Sequence, residues 1–174
     1  VLTLHREENV DDPVRLEKAL IGVGRLAEAL PLDVVFFVHP RTKKRLAEFG
    51  VAERLAEFES ITPVEAVGYL EFLGALKSAT LCLTDSGGVQ QEACIHRVPC
   101  VTLRGNTEWQ VTLDLGANRL SGCDPDQIVA AGRAAIEAPK TWSIPFGGEG
   151  SSRRIAEHAA RAVTANPTAD SLPR

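Results

Sequence analysis

The sequence predicts an α/β protein built on a doubly wound parallel sheet. Short apolar runs rich in Val, Leu and Phe alternate with longer stretches whose apolar residues recur at helical spacing. The runs are continuously apolar, as strands covered by helices on both faces require. Polar or glycine-bearing clusters follow three of these runs, and in a parallel sheet those positions share the edge where ligands bind.

The elements follow in order. Val1–Leu4 is a strand. Asp12-Pro13 opens a helix, with Pro at an early helical position. Leu16, Leu20, Val23, Ala27 and Leu30 continue it as one stripe, and Pro31 ends it. Val34–Val38 is a buried strand closed by His39-Pro40. Residues 41–58 form one or two short helices broken near Gly50, and Val64–Val67 is a weaker third strand. Gly68 leads into a helix over Tyr69–Lys77. Leu81–Thr84 is the fourth strand, with a helix over Gly88–His96 after it. Pro99–Leu103 is the fifth strand, followed by a helix near Glu108–Leu113 and a short sixth strand at Asn118–Leu120. Asp124 caps a helix over Pro125–Ala138. Residues 142–150 are a Pro- and Gly-rich loop, Ser151–Val163 is the last helix, and 166–174 is a frayed tail beyond a domain spanning 1–165.

A chain of 174 residues with 44% hydrophobic and 24% charged content fits one globular domain with a sizeable core. A net charge of -4 argues against nucleic acid or an anionic membrane as the main partner, and no apolar run approaches a membrane span. The cysteines are Cys82, Cys94, Cys100 and Cys123. None forms a CxxC pair, so no metal site is expected, and reduced buried thiols point to the cytoplasm. The chain has no Met and opens on an apolar strand pattern, which reads either as a piece of a longer protein or as a trimmed N-terminus.

Three clusters can carry chemistry. Thr84-Asp85-Ser86-Gly87-Gly88-Val89-Gln90-Gln91-Glu92-Ala93 follows the fourth strand and turns through two glycines into a helix. Such a turn presents backbone N–H groups and the positive end of a helix to an anion. Asp85 or Ser86 can cap that helix, and the Ser86 hydroxyl can donate to a phosphate oxygen. Glu92 stands four residues after Gly88, on the same face, where a carboxylate can accept two hydrogen bonds from a ribose diol. The bland alternative is a tight turn with a solvated Glu92 paired to His96. His5-Arg6-Glu7-Glu8-Asn9 ends the first strand. It offers an imidazole for phosphate or proton transfer and a guanidinium fork, or else a charged helix lead-in. Arg104-Gly105-Asn106-Thr107-Glu108-Trp109 ends the fifth strand, with Trp109 either at the site or simply a packed aromatic. Phe72, on the helix before the glycine turn, can stack on a base or sit in the core.

Together these residues resemble the non-hydrolysing UDP-N-acetylglucosamine 2-epimerases. The resemblance rests on Thr3 to Asn9, Val38-His39-Pro40, Gly68 to Phe72, Thr84 to Ala93 and Arg104 to Glu108, and runs to about residue 160. It covers the carboxyl-terminal half of such an enzyme: one Rossmann-like domain of a glycosyltransferase-B-like pair, with the amino-terminal domain absent. It implies that Ser86, Gly87 and Gly88 contact the UDP diphosphate and that Glu92 holds the ribose. It implies a uracil site at Phe72 and Val67, with His5 important for turnover at the diphosphate and sugar. Arg6, Arg104 and Glu108 join the substrate-binding set. The implied reaction inverts C2 of the sugar by eliminating UDP and adding it back, with no cofactor, in a full-length homodimer. The acid–base groups for C2 belong to the absent domain, so this chain alone is expected to bind UDP weakly without epimerising. Trp109 replaces a family Arg, whose charge Arg104 or Arg6 can supply. Gly147-Gly148-Glu149-Gly150 replaces a Gly-Asp-Gly contact. The nucleotide-sugar domain of a glycosyltransferase and a stand-alone UDP-binding module remain the other readings.

Overall fold

The computed structural model describes residues 1–165, and the expected tail at 166–174 lies outside the described residues. Val1–Ile144 form one compact unit and the chain from Pro145 a second. Among the described residues six strands form one sheet: β1 (Leu2–Leu4), β2 (Val34–Val38), β3 (Ile61–Glu65), β4 (Cys82–Thr84), β5 (Cys100–Thr102) and β6 (Asn118–Leu120). Their order is β3-β2-β1-β4-β5-β6, and every pairing is parallel. This is the doubly wound α/β sheet expected from the sequence. The chain runs outward from β1 to β3, then returns to lay β4 on the other side of β1. Ligand crevices form where the strand order reverses in this way, here between the carboxyl ends of β1 and β4.

The helices are α1 (Glu7–Val10), α2 (Pro13–Ala29), α3 (Pro40–Glu48), α4 (Val51–Ala56), α5 (Tyr69–Lys77), α6 (Gly87–Ile95), α7 (Gln110–Asp114) and α8 (Pro125–Glu137), with α9 (Ser151–Ala165) in the second unit. Asp124 caps α8 as expected and Asp12 caps α2, each accepting from two backbone N–H groups. The stripe of α2 is buried throughout from Leu16 to Ala27, against Phe36 and Ile128 in the main core. Close approach of α2 and α8 depends on Gly22, where an added Cβ would lie 2.9 Å from the backbone Cα of Pro125. At the far end of α6, the Trp142 indole donates to the Cys94 carbonyl at 3.0 Å, which satisfies one of the orphan acceptors of the helix terminus.

Most elements shift by a residue or two at their ends, and the larger differences from the sequence reading are these. The third strand is Ile61–Glu65, not Val64–Val67, and pairs in register from Val34↔Ile61 to Val38↔Glu65. Pro63 fits inside β3 because β3 lies at the sheet's edge, where a missing N–H on the open side leaves no bond unmade. Val67 therefore sits in the loop before α5. The helix after β5 begins at Gln110 rather than Glu108, and the cluster after β1 holds a one-turn helix, α1, that apolar spacing did not reveal. Residues 41–58 contain two helices, parted at Gly50 in a left-handed conformation (φ 67).

Among the described residues no helix is long and apolar enough to cross a membrane. All four cysteines are free and buried. The Cys123 thiol lies 3.2 Å from Asn9 Oδ1 and 3.6 Å from the Leu103 carbonyl oxygen, both acceptors. Burial, ahead of every other cause, raises its pKa from 9.0 to about 11. The folded state thus keeps a proton that the unfolded chain gives up earlier. This contribution to stability is complete below pH 9.0 and is lost as pH rises toward about 11. Thermal melts followed by circular dichroism are expected to show a falling Tm over that window, with a shallower fall in Cys123→Ala. Equal slopes would refute it.

Candidate functional site

The carboxyl ends of the three central strands lie level, because Leu4 pairs with Val38 and Thr3 with Thr84. That register sets His5, His39 and Asp85 side by side. Behind them Thr3 Oγ1 and Thr84 Oγ1 are 2.6 Å apart, a hydrogen bond that ties β1 to β4 directly under the crevice.

Ser86 is the N-cap of α6, and its Oγ accepts from Val89 N at 3.5 Å. The first turn of α6 is therefore Gly87-Gly88-Val89, whose N–H groups include those a helix leaves without an intrahelical acceptor. Those donors and the axial dipole give this end an anion-attracting character of about half a positive charge. Gly88 is exposed with open space around its Cα, whereas Gly87 is buried under Glu108 and Trp109. A Cβ on Gly87 would overlap Glu108 Oε1 and lie 3.2 Å from Trp109 Nε1.

A cavity of about 330 Å³ opens beside this turn, lined by Thr3, Leu4, His5, Phe37, His39, Ala66, Val67, Phe72, Ser86 and Val89. It falls in the size range of small-molecule sites. Four predicted residues, His5, Val67, Phe72 and Ser86, thus meet in one space. Phe72 is held edge-on by Phe37, with ring centroids 5.2 Å apart, and the His39 ring centroid lies 5.7 Å from that of His5.

On the other side of His5, a second depression of about 470 Å³ is lined by His5, Arg6, Glu7, Glu8, Arg41 and Arg104. Here the charges are largely paired. Arg104 donates from Nε to Glu8 at 2.7 Å, from Nη1 to Glu108 at 2.9 Å and from Nη2 to Asn106 at 3.1 Å. Arg6 Nη2 lies 3.5 Å from Glu108 Oε1. Glu108's own backbone N–H, then Arg104, hold its carboxyl below the usual range against the opposing effect of burial. Arg104 and Glu108 therefore clasp the loop after β5 to the turn after β1, through Glu8 and Arg6. Arg6 is the more exposed guanidinium, at 42% against 14% for Arg104.

Four predicted residues belong to neither lining: Gly87 and Glu108, which pack on each other, and Gly88 and Glu92. Gly88 lies on the solvent side of the α6 terminus. Glu92, half-buried one turn on, faces the Tyr69 phenol and holds that phenol's pKa above its ordinary value. The Tyr69 pairing replaces the His96 partner that the bland reading supplied.

A buried polar network fixes the loop that carries Glu108. Thr107 Oγ1 donates to Gln90 Oε1 at 2.6 Å, and Asn118 Nδ2 donates to the same oxygen at 3.1 Å. Thr102 Oγ1 donates to Asn118 Oδ1 at 2.9 Å. Gln90 belongs to α6, Thr102 to β5 and Asn118 to β6, so the network locks helix, loop and sheet edge together.

Three contributors escaped the sequence reading. Asp85 is fully buried and serves the loop after β1 rather than α6, whose cap is Ser86. Asn9, also fully buried, donates to Asp85 and to the Leu103 carbonyl. Phe37 buttresses Phe72. A short polar residue at the buried end of a strand was the available signal for Asp85. Nothing local distinguishes Asn9 from its charged neighbours. Among the described residues no group of three or more His, Cys, Asp or Glu side chains could hold a metal ion.

A family model described as UDP-N-acetylglucosamine 2-epimerase matches residues 1–160. The UDP-N-acetylglucosamine 2-epimerase of Methanocaldococcus jannaschii is 46% identical over 155 residues, which are 89% of this chain and 42% of that protein. The UDP-2,3-diacetamido-2,3-dideoxy-D-glucuronate 2-epimerase of Pseudomonas aeruginosa is 41% identical over 160 residues, 91% of this chain and 43% of that one. The crystal structure of the Methanocaldococcus jannaschii enzyme in complex with UDP-GlcNAc and UDP superposes with a TM-score of 0.88 at 45% identity, covering 92% of this chain and 44% of that one. The chain spans less than half the length of these relatives.

Proposed function

The chain belongs to the UDP-N-acetylglucosamine 2-epimerase family, and from that premise we propose that it is the UDP-holding half of a sugar-nucleotide 2-epimerase. One observation carries the reading: the exposed N-terminus of α6 at Ser86-Gly87-Gly88 opens at the strand-order switch beside the cavity holding His5, Phe72 and Val67. The diphosphate takes the α6 N-terminus and the Ser86 hydroxyl. Uracil takes the face of Phe72 left free by Phe37, beside Val67. Glu92 exchanges the Tyr69 hydroxyl for the ribose diol. Arg6 answers the charge that a family Arg supplies at the position of Trp109, since Arg104 is occupied by Glu8, Asn106 and Glu108.

In the proposed reaction UDP-N-acetylglucosamine becomes UDP-N-acetylmannosamine by elimination and re-addition of UDP, with inversion at C2 between. Negative charge grows on the departing diphosphate, so fixed donors and a helix dipole aimed at it stabilise the transition state as well as the bound product. The relative named for a diacetamido-glucuronate shares the UDP group and differs in the sugar, which suits a half that grips only the nucleotide. Epimerase names among these relatives favour this reading over a glycosyltransferase domain. A cytoplasmic setting, where four free thiols stay reduced, belongs to the same proposal. So does a homodimer of the full-length protein, and light scattering that returned a monomer would count against it.

Calorimetry with UDP tests the site. Glu92→Ala is expected to weaken binding by about 1–3 kcal/mol, the loss of charge-assisted hydrogen bonds, and Ser86→Ala by about 0.5–1.5 kcal/mol. Unchanged affinity in both variants refutes the assignment.

A further inference from the structure

We propose that Asp85 is the positioning residue for His5: one fully buried carboxylate that fixes both the backbone and the ring of that histidine and turns its Nε2 toward the nucleotide. The proposal rests on His5 being the site histidine and adds what holds it there.

Both carboxylate oxygens are engaged. Oδ1 accepts from His5 N at 3.0 Å and lies 3.1 Å from His5 Nδ1. Oδ2 accepts from Arg6 N at 3.0 Å and from Asn9 Nδ2 at 3.2 Å. A carboxylate at 0% exposure needs this many donors to be tolerated away from water. These donors come almost wholly from the His5–Asn9 turn, so the bonds that satisfy Asp85 also set the path of the chain after β1. Asn9 extends the arrangement, donating to the Leu103 carbonyl at 2.9 Å and accepting from Arg15 Nη2 at 2.9 Å. Three strand ends, those of β1, β4 and β5, are thereby joined through two side chains.

The proximity of the carboxylate to the ring favours one tautomer. A bare Nδ1 lone pair 3.1 Å from a carboxylate oxygen would be repelled, so the proton of neutral His5 resides on Nδ1. Nε2 is then the unprotonated nitrogen. When it takes up a proton, the imidazolium lies between Asp85 and the cavity, able to donate to a diphosphate oxygen while Asp85 balances its charge. A base oriented by a buried carboxylate on its other nitrogen follows the general logic of oriented histidine catalysis.

The test is the tautomer itself, read by long-range proton–nitrogen correlation NMR of the His5 imidazole at a pH where it is neutral. The wild-type chain is expected to show Nδ1–H as the major form. Asp85→Asn is expected to make Nε2–H the major form and to lower the UDP affinity of the chain. His5→Ala and Asp85→Asn are expected to be non-additive in that affinity. Leu26→Ala, a core variant remote from His5, controls for lost stability and is expected to leave the tautomer unchanged. An Nε2–H major form in the wild type overturns the proposal without any variant, as does an Asp85→Asn spectrum matching the wild type. The NMR readout needs no ligand. A chain that shows the Nδ1–H tautomer yet binds no UDP would refute the proposed function while leaving the positioning role intact.

Discussion

Phe36→Ala is expected to lower the unfolding free energy by about 3–5 kcal/mol, the range for deleting a fully buried aromatic and leaving a cavity. Phe36 is at 0% exposure in β2, in register with Leu2 of β1 and Pro63 of β3, and packs in the main core with the buried stripe of α2. Chemical denaturation followed by circular dichroism measures the loss. It is a large share of the roughly 5–15 kcal/mol that holds a typical domain together. A loss under about 1 kcal/mol would mean that the surrounding side chains close the cavity, contrary to close packing of the core. Phe37 provides the contrast. It points to the other face, half-buried against Phe72. Phe37→Ala is therefore expected to spare much of the stability and to weaken UDP binding by freeing Phe72.

Gly87→Ala and Gly88→Ala are expected to fail in different ways. At Gly87 the new methyl meets Glu108 Oε1, which Arg104 holds at its other oxygen from 2.9 Å. Glu108 must leave its place over α6, and its ion pairs with Arg104 and Arg6 open. Overpacking of this kind typically costs about 1–3 kcal/mol of stability. The displaced α6 terminus is expected to lose UDP affinity by tenfold or more, the equivalent of about 1.4 kcal/mol. At Gly88 the methyl meets nothing within 4 Å, so the fold is expected to be unaffected. Its methyl would still project where the diphosphate is proposed to approach, so UDP affinity is expected to fall while the melting temperature stays within about 2 °C of wild type. Melting curves and calorimetry on the two variants separate the effects. Gly88→Ala with wild-type affinity would move the diphosphate away from the α6 N-terminus.

The architecture was largely legible in the chain. Five strands and the long helices announced themselves by continuous apolar runs and by the α2 stripe, and the caps at Asp12 and Asp124 marked two helix starts. The third strand was displaced by three residues because Pro63 weighs against a strand in sequence, and only the sheet order reveals an open edge there. The one-turn helix α1 was hidden because four residues are too few to show a period. Within the site, the glycine turn and His5 were visible as residue types at strand ends. The roles of Arg104 and Glu108 were not, because the sequence does not show that they face each other and Glu8 across two loops.

The sheet, its carboxyl-terminal edge and the glycine turn at Ser86-Gly87-Gly88 that opens α6 are written in the chain itself, since these follow from local periodicity and backbone chemistry. Tertiary structure alone decided what holds the site in shape. Asp85 and His5 are 80 residues apart in the chain. Asn9 and Leu103, and Glu108 and Arg6, are as remote or more so. Such pairings depend on strand order and register, which bring the ends of β1, β4 and β5 together, and no local pattern encodes which side chain will meet which once they do.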